Sequence, residues 1–127
     1  MHRAISTLLL VFASNSAVAQ WIYVGSDDNK YVYYDSDTIR RAGEWAGMLV
    51  LLDSKEADEN RPFMSAKIKS EFKCKEASFR LTGGYVYSGK MGTGESEKHD
   101  VNMPWRSIQP VSAWEDLLKI ACWKQPQ

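Results

Sequence analysis

The most constraining feature of this sequence is a run of alternation that ends at one of only two cysteines. Between Met64 and Cys74 the even positions are apolar apart from Ser70, and the odd positions are polar or charged. Successive side chains on a β-strand point to opposite faces, so this pattern predicts a half-buried strand. Cys74 then lies on its buried face.

The second cysteine lies in a segment with a different period. Apolar side chains spaced i, i+3, i+4, i+7 and i+8 form one stripe of a helix, and here they are Trp114, Leu117, Leu118, Ala121 and Cys122. Ser112 and Glu115 have the S-x-x-E spacing of a capping box, which marks a helix start. The sequence therefore predicts a C-terminal helix with Cys122 on its buried face.

The N-terminal segment has the pattern of a secretory signal peptide. Arg3 supplies the positive start, residues 4–13 (AISTLLLVFA) are apolar, and Ala17-Val18-Ala19 is a small-x-small cleavage pattern. The apolar run is shorter than the roughly 20 residues of a membrane span, although a buried N-terminal helix is an alternative. We expect a signal peptide over residues 1–19 and an exported domain over residues 20–127. No cysteine follows the predicted cleavage site between Ala19 and Gln20, so no residue there can accept a lipid anchor. We therefore expect a periplasmic or secreted protein, and display on the cell surface is left as an alternative.

Export and burial together predict a disulfide between Cys74 and Cys122. An exported chain folds in an oxidising compartment, where two cysteines on facing buried surfaces pair. The alternative is two separate buried thiols. The spacing is far from C-x-x-C, which argues against a redox-active pair.

Most of the remaining chain is typical of strands. Trp45–Leu52 is apolar on both faces, as in a central strand. Residues 77–87 alternate, and Gly83-Gly84 predicts a bulge or bend within them. Two segments predict loops: Asp53–Arg61, charged and exposed, and Gly89–Asp100, mobile and rich in Gly, Lys and Glu. The predicted fold class is α+β: a single antiparallel sheet with one C-terminal helix packed on it and tied by the disulfide.

Composition excludes several classes of function. With 16 basic and 16 acidic residues, the chain lacks the surplus of cations that nucleic-acid binding requires. The segment Gly84–Lys90 has the G-x-x-x-x-G-K spacing of a phosphate-binding loop, but Met91 replaces the Ser or Thr that would hold magnesium. A Ser–His–acid catalytic triad or a metal site would have to use His99, a lone histidine in a flexible acidic loop, where it is more often simply solvated. We therefore expect no enzyme, no metal site and no cofactor.

The polar face of the predicted strand suggests a binding surface. Lys67, Lys69 and Lys73 project together, Lys75 follows, and only Glu71 offsets them. Such a row suits an acidic partner, although lysines also protect exposed strands from aggregation. Among the aromatic residues, we expect Trp45, Phe72, Phe79 and Trp114 in the core, and Tyr85, Tyr87 and Trp105 in contact with a partner.

An ordered set of motifs resembles the surface-adhesin protein E family of Gram-negative bacteria. After the signal peptide the set is W-I-Y-V at Trp21, Y-Y-D at Tyr33, T-I-R-R at Thr38, M-L-V-L-L-D ending at Asp53, S-A-K-I-K-S-E-F-K-C from Ser65, Y-S-G at Tyr87, G-T-G at Gly92 and W-R-S-I-Q-P-V-S from Trp105. The helix ending in Cys122 closes it. The resemblance implies a sheet that carries a C-terminal helix fixed by a disulfide.

The resemblance also implies a non-enzymatic binding function. The family's namesake is an outer-membrane lipoprotein that binds host vitronectin, laminin and plasminogen and is linked to haem. We therefore expect a protein partner among host matrix or serum proteins, and a homodimer remains open. The alternatives are an envelope structural role and a periplasmic carrier of haem or another small ligand that uses Tyr85, Tyr87 and His99.

Overall fold

The alternating and apolar segments pair into one antiparallel sheet in the computed structural model, which describes residues 20–56 and 60–123. Eight strands lie within these residues: β1 (Trp21–Asp27), β2 (Lys30–Asp35), β3 (Arg40–Ala42), β4 (Trp45–Ser54), β5 (Ser65–Lys73), β6 (Ser78–Tyr87), β7 (Ser96–Asp100) and β8 (Arg106–Ser107). One helix, α1 (Ala113–Cys122), follows them, and short 3₁₀ turns lie at Ser36–Thr38 and Lys90–Gly92. The predicted signal peptide, residues 1–19, lies outside the described residues.

The strands follow the order β1-β2-β4-β5-β6-β7. Since β5 pairs along one edge of β4 from Trp45 to Asp53, β2 and β3 share the other edge. In the same way, β7 and β8 share the edge of β6 that faces away from β5. The pairing between β5 and β6 shifts register so that it skips Thr82, one residue before the predicted break.

The helix covers one face of the sheet and builds the core there. Alternate residues of β2, β4 and β5 meet the apolar stripe of α1; the buried members are Val32, Tyr34, Ala46, Met48, Val50, Phe72, Ala113, Leu117, Leu118 and Ala121. This two-layer arrangement confirms the predicted fold class. It also confirms the strand and helix periods, because Phe72 and Leu117 are both fully buried.

Both ends of α1 are fixed to their surroundings. At the start, the Ser112 hydroxyl accepts a hydrogen bond from the Glu115 backbone N–H, while the Glu115 carboxylate accepts one from the N–H of Val111. At the end, the Arg41 guanidinium donates to the carbonyls of Ala121 and Ile120, where a cation also complements the helix dipole.

The Cys74–Cys122 disulfide is present, as the sequence predicts. It joins the residue after β5 to the last residue of α1, with Cα atoms 5.7 Å apart. Both cysteines pack against the core cluster. The bond therefore closes the helix onto the sheet from the end opposite to the Ser112 cap.

Three predictions are wrong. Gly89–Asp100 is not a mobile loop, since Lys90–Gly92 forms a 3₁₀ turn and β7 pairs with β6. Asp53–Arg61 is not an exposed loop at its start, since Asp53 and Ser54 are buried at the end of β4. Trp45 is not a core residue, because it lies on the face of β4 that α1 leaves uncovered and is 43% exposed.

Candidate functional site

The face of the sheet opposite α1, which we call the open face, carries the predicted binding residues. Alternation and register place on it Tyr31, Tyr33, Trp45, Leu49, Leu51, Asp53, Lys67, Lys69, Glu71, Lys73, Arg80, Tyr85 and Tyr87. The strand register thus brings Lys67, Lys69 and Lys73 to the same face as Tyr85 and Tyr87. The sequence predicts only that the three lysines project together. Their environments differ along the face.

Lys67 lies at one end, packed among aromatic rings. Its Nζ is 5.0 Å from the ring centroid of Tyr87 and 5.9 Å from that of Trp21, within the range of cation–π attraction. Gly92, at φ +70°, passes directly over its aliphatic stem, where a side chain at that glycine would collide with the Lys67 Cε. Lys67 is therefore half-buried and helps to hold the chain above it.

The segment above Lys67 folds back onto the open face, and we call residues 88–95 the strap. Ser88 donates its N–H to the Glu95 carbonyl, which closes the base of the strap at 2.8 Å. Its tip is held by the buried Asp53, which accepts the Met91 N–H at 2.7 Å and lies 3.8 Å from the Lys90 ammonium. Non-local bonds thus order a segment whose composition alone suggests mobility.

Lys73, at the other end, belongs to a cluster of two tryptophans and two cations. The rings of Trp45 and Trp105 meet edge to face, with centroids 5.1 Å apart at 87°. Lys73 Nζ and Arg80 Cζ each lie 4.6 Å from the centroid of Trp105. Arg80 also donates from Nε to Glu71 Oε1 at 2.8 Å, which orients the guanidinium. The rings and charges fix one another.

Lys69 and Lys75 are the exposed members of the lysine row. Lys69 lies between the two ends, opposite Leu49, and makes no ion pair within the described part of the chain. Lys75 is in the turn after β5, where its ammonium is 3.0 Å from a carboxylate oxygen of Glu44. Lys69 is therefore the cation of the row most available to a partner.

The tyrosines of β1 and β2 form a second aromatic group on this face. Tyr23 meets Tyr33 and Tyr31 edge to face, at centroid distances of 5.5 and 6.2 Å. Burial, followed by the negative charge of Asp53 and the neighbouring phenols, raises the pKa of Tyr33 above its ordinary value of 10.0. These surroundings therefore disfavour ionisation of the Tyr33 phenol.

Between the two ends of the open face, the surface is hollowed. Gly47 leaves a gap on β4 between Trp45 and Leu49. Two adjoining hollows of about 250 and 320 Å³ share Arg40, Gly47 and Glu71 as lining residues. Trp45 borders the first, and Lys69 and Thr82 line the second. The centre of the face is therefore a shallow groove with cationic walls.

The sequence pattern of the surface-adhesin protein E family matches residues 21–123. The chain belongs to this family. A search of curated proteins found no match.

Solved structures of Haemophilus influenzae protein E have the same fold as this family member. One crystal form has a TM-score of 0.65 at 13% sequence identity, covering 88% of this chain and 94% of that chain. A second structure of the same protein has a TM-score of 0.64 at 13% identity, covering 88% and 90%. Protein E from a non-typeable strain has a TM-score of 0.60 at 13% identity, covering 88% and 81%. At this identity the likeness concerns the fold.

The residues considered for haem are separated in this adhesin-family chain. Tyr85 and Tyr87 are on the open face, whereas His99 pairs with Gly84 and so projects to the opposite face. There it contacts Glu97, at 2.9 Å, and the ring of Phe63. The described residues contain no group of three or more His, Cys, Asp or Glu arranged to hold a metal ion.

Sequence reasoning missed several residues of the open face. The sequence predicts Trp45 in the core, because a strand that is apolar on both faces, such as β4, does not show which face the helix covers. Arg80 alternates correctly along β6, but its contact with Glu71 depends on the register across the Thr82 shift. Arg40 carried no local signal, since its strand has only three residues.

Among the described residues, no helix of this family member has the length and apolar character of a membrane span.

Proposed function

We propose that this protein is a non-enzymatic adhesin that binds a host extracellular-matrix or serum protein through the open face. The observation that carries the proposal is the exposure of large aromatic side chains beside an unpaired lysine. Trp45 is 43% exposed and Tyr85 is 45% exposed, and Lys69 lies on the same face. Exposed aromatic side chains are typical of protein-binding surfaces, and a cluster of cations attracts a partner of opposite charge. Membership of the surface-adhesin protein E family supports the same function.

The charge of the open face supports an acidic partner. Its cations include Lys67, Lys69, Lys73 and Arg80. The carboxylates of β4 and β5 on this face are already engaged, since Glu71 binds Arg80 and Asp53 is buried under the strap. A net-neutral chain thus presents a cationic surface locally, and binding should weaken with increasing salt.

The test is a charge reversal at the most available lysine. We expect Lys69→Glu to weaken binding of the mature protein to immobilised vitronectin or laminin by about tenfold, the effect of a charge pair worth about 1.4 kcal/mol. Lys119→Glu, on the exposed side of α1, is the matched control and should bind as the wild type does. Surface plasmon resonance at two salt concentrations measures both.

A quadruple variant, with Lys67, Lys69, Lys73 and Lys75 all replaced by Ser, should no longer bind vitronectin or laminin. Because Lys67 and Lys73 also pack on aromatic rings, circular dichroism and thermal unfolding must show that this variant is folded. Equal binding by the wild type and the folded quadruple variant would disprove the role of the open face. Failure of the wild type to bind any matrix or serum protein would disprove the adhesin function.

Haem transport is not supported by the geometry. A carrier site built from Tyr85, Tyr87 and His99 would need these side chains on one side of the sheet, and they project to opposite sides.

The export of the domain through residues 1–19, which the structure does not describe, remains part of the proposal.

A further inference from the structure

Trp45 is held as an exposed platform beside the groove of the open face. The edge of one tryptophan ring meets the face of the other at a centroid distance of 5.1 Å, and Lys73 Nζ and Arg80 Cζ lie 5.8 and 5.9 Å from the ring centroid of Trp45. These contacts hold the indole of Trp45 in place, while the residue remains 43% exposed. Hollows lie on two sides of it: the groove on one, and on the other a smaller depression of about 170 Å³ bordered by Glu44, Lys73 and Lys75. A flat, immobile and accessible indole binds a flat apolar surface at little entropic cost.

The groove beside Trp45 offers donors for an anionic group. Arg40 donates through Nη1 to the carbonyls of Asp37 and Ile39, at 3.1 and 2.9 Å, and its Nη2 has no partner among the residues described here. Lys69 contributes a second free cation to the continuation of the groove. A carboxylate or a sulfate is the group that such a pair of donors fits.

The same groove offers partners for hydroxyl groups. Glu71 uses Oε1 to bind Arg80, which leaves Oε2 to accept from a ligand. Thr82, in the register shift of β6, lines the groove and provides a hydroxyl that can both donate and accept. An occupant with several hydroxyl groups, one apolar face and one acid group matches these side chains.

The floor of the groove disfavours an extended peptide. Gly47 is paired with Arg40 on one side and with Glu71 on the other, so its backbone belongs to two ladders. A peptide that binds by strand addition needs a free sheet edge, and this floor is the interior of the sheet. Recognition here depends on side chains, as is usual for small polar ligands.

We propose that the Trp45 groove binds an acidic saccharide, with a pyranose ring against Trp45 and its carboxylate or sulfate at Arg40 and Lys69. This inference rests on the proposed function, because it assigns a chemical class to a ligand on the adhesive face. Ligand pockets usually enclose ~300–1,000 Å³. One hollow, of about 320 Å³, is at the lower end of that range, and the other, of about 250 Å³, is just below it, which suits one or two sugar rings.

Three probes that share one disaccharide core test the proposal by isothermal titration calorimetry on the mature protein. They are 3′-sialyllactose, which carries a carboxylate, lactose 3′-sulfate, and neutral lactose. We expect at least one acidic probe to bind about tenfold or more tightly than lactose. The two acidic probes separate carboxylate from sulfate recognition. Equal affinity for all three, or no binding of either acidic probe, overturns the proposal.

Variants locate the binding of the acidic probe. Trp45→Ala and Lys69→Glu should each weaken it by about tenfold, whereas Trp45→Phe, which keeps a flat ring, should lose less. Trp123→Ala removes an exposed tryptophan just beyond α1, and Lys119→Glu reverses an exposed charge on α1; both should bind as the wild type does. Undiminished binding by a folded Trp45→Ala variant overturns the site.

Matrix proteins with their glycans removed separate this inference from the proposed function. Binding of deglycosylated laminin that still depends on Lys69, with no binding of the acidic probes, would overturn the saccharide site alone. Binding of the acidic probes without binding to any matrix or serum protein would overturn the adhesin function and leave the saccharide site standing.

Discussion

Single cations on the open face have two roles that the fold separates. Lys67 and Lys73 pack their ammonium groups on aromatic rings, which is worth about 0.5–1 kcal/mol at exposed sites. Lys69 has no such contact, and its charge is directed to solvent. A substitution at Lys67 or Lys73 therefore changes stability and charge together, whereas Lys69 reports on charge alone.

At the residue scale, Tyr33 predicts a loss of stability at alkaline pH. A phenol whose pKa is raised in the folded state contributes its full stabilisation below the unfolded-state value of 10.0, and that contribution is lost as the pH rises through the higher folded-state pKa. We expect Tyr33→Phe to make the decline of the unfolding free energy above about pH 10 shallower. Urea unfolding from pH 8 to 11 measures it, with the exposed Tyr85→Phe as control. Identical slopes for wild type and Tyr33→Phe would contradict the prediction.

At the scale of elements, the strap and α1 cover opposite faces of the same sheet by different means. The helix buries an apolar stripe and is cross-linked through Cys74. The strap has little apolar surface and relies on polar contacts with Asp53 and Ser65, the latter accepting the Gly92 N–H at 2.8 Å. The helix thus depends on the burial of apolar area, and the strap depends on a few partly buried hydrogen bonds.

The strap should therefore be sensitive to the carboxylate that holds it. We expect Asp53→Ala to lower the free energy of unfolding by about 1–3 kcal/mol, because the Met91 N–H loses its acceptor. Asp53→Asn keeps an acceptor oxygen and should lose less. Urea unfolding gives the stabilities, and limited proteolysis shows whether cleavage in residues 88–95 accelerates. Proteolysis of Asp53→Ala at the wild-type rate would show that Asp53 does not hold the strap in place.

Loss of the disulfide should weaken the attachment of α1 to the sheet. The bond closes a separation of 48 residues, for which the chain-entropy model gives about 4 kcal/mol. We expect the double variant Cys74→Ser, Cys122→Ser to be less stable by about 2–5 kcal/mol. Thermal unfolding of wild type with and without reductant provides the matching comparison. An unchanged melting temperature in either case would show that packing alone holds α1.

Elements with an apolar face could be predicted from the sequence, and a strand without an apolar face could not. β5 and α1 each have an apolar face, so their periods indicated both the elements and the disulfide. The five residues of β7 are all exposed, so no apolar alternation marks this strand; only pairing with β6 defines it. The partner of Asp53 is 38 positions away along the chain, which no local pattern shows.

On the scale of the whole molecule, the sheet has one edge that resists further pairing. The outer strand β7 (S-E-K-H-D) presents charged side chains on both faces, a feature that discourages strand addition by other chains. This edge therefore disfavours partners that bind by adding a strand. The helix covers one face of the sheet, which leaves the open face for the binding function that we propose.

The position of the molecule in the cell decides whether that face can meet a host protein. We expect the mature chain to begin at Gln20 after removal of residues 1–19, which mass spectrometry of the purified protein would show. Protease added to intact cells should degrade a surface-displayed adhesin and spare a protein confined to the periplasm. Protection in intact cells, with degradation only after the outer membrane is opened, would exclude contact with host matrix.

The helix that completes the core is also the last described element to leave the ribosome. Val50 and Phe72 belong to strands made much earlier, yet their apolar partners Leu117 and Leu118 are translated only after all eight described strands. Because a nascent chain cannot bury a surface whose partner has not been synthesised, the sheet stays unfinished during most of translation. The order of the elements thus delays completion of the core until α1 has been synthesised, which would suit the export that we propose.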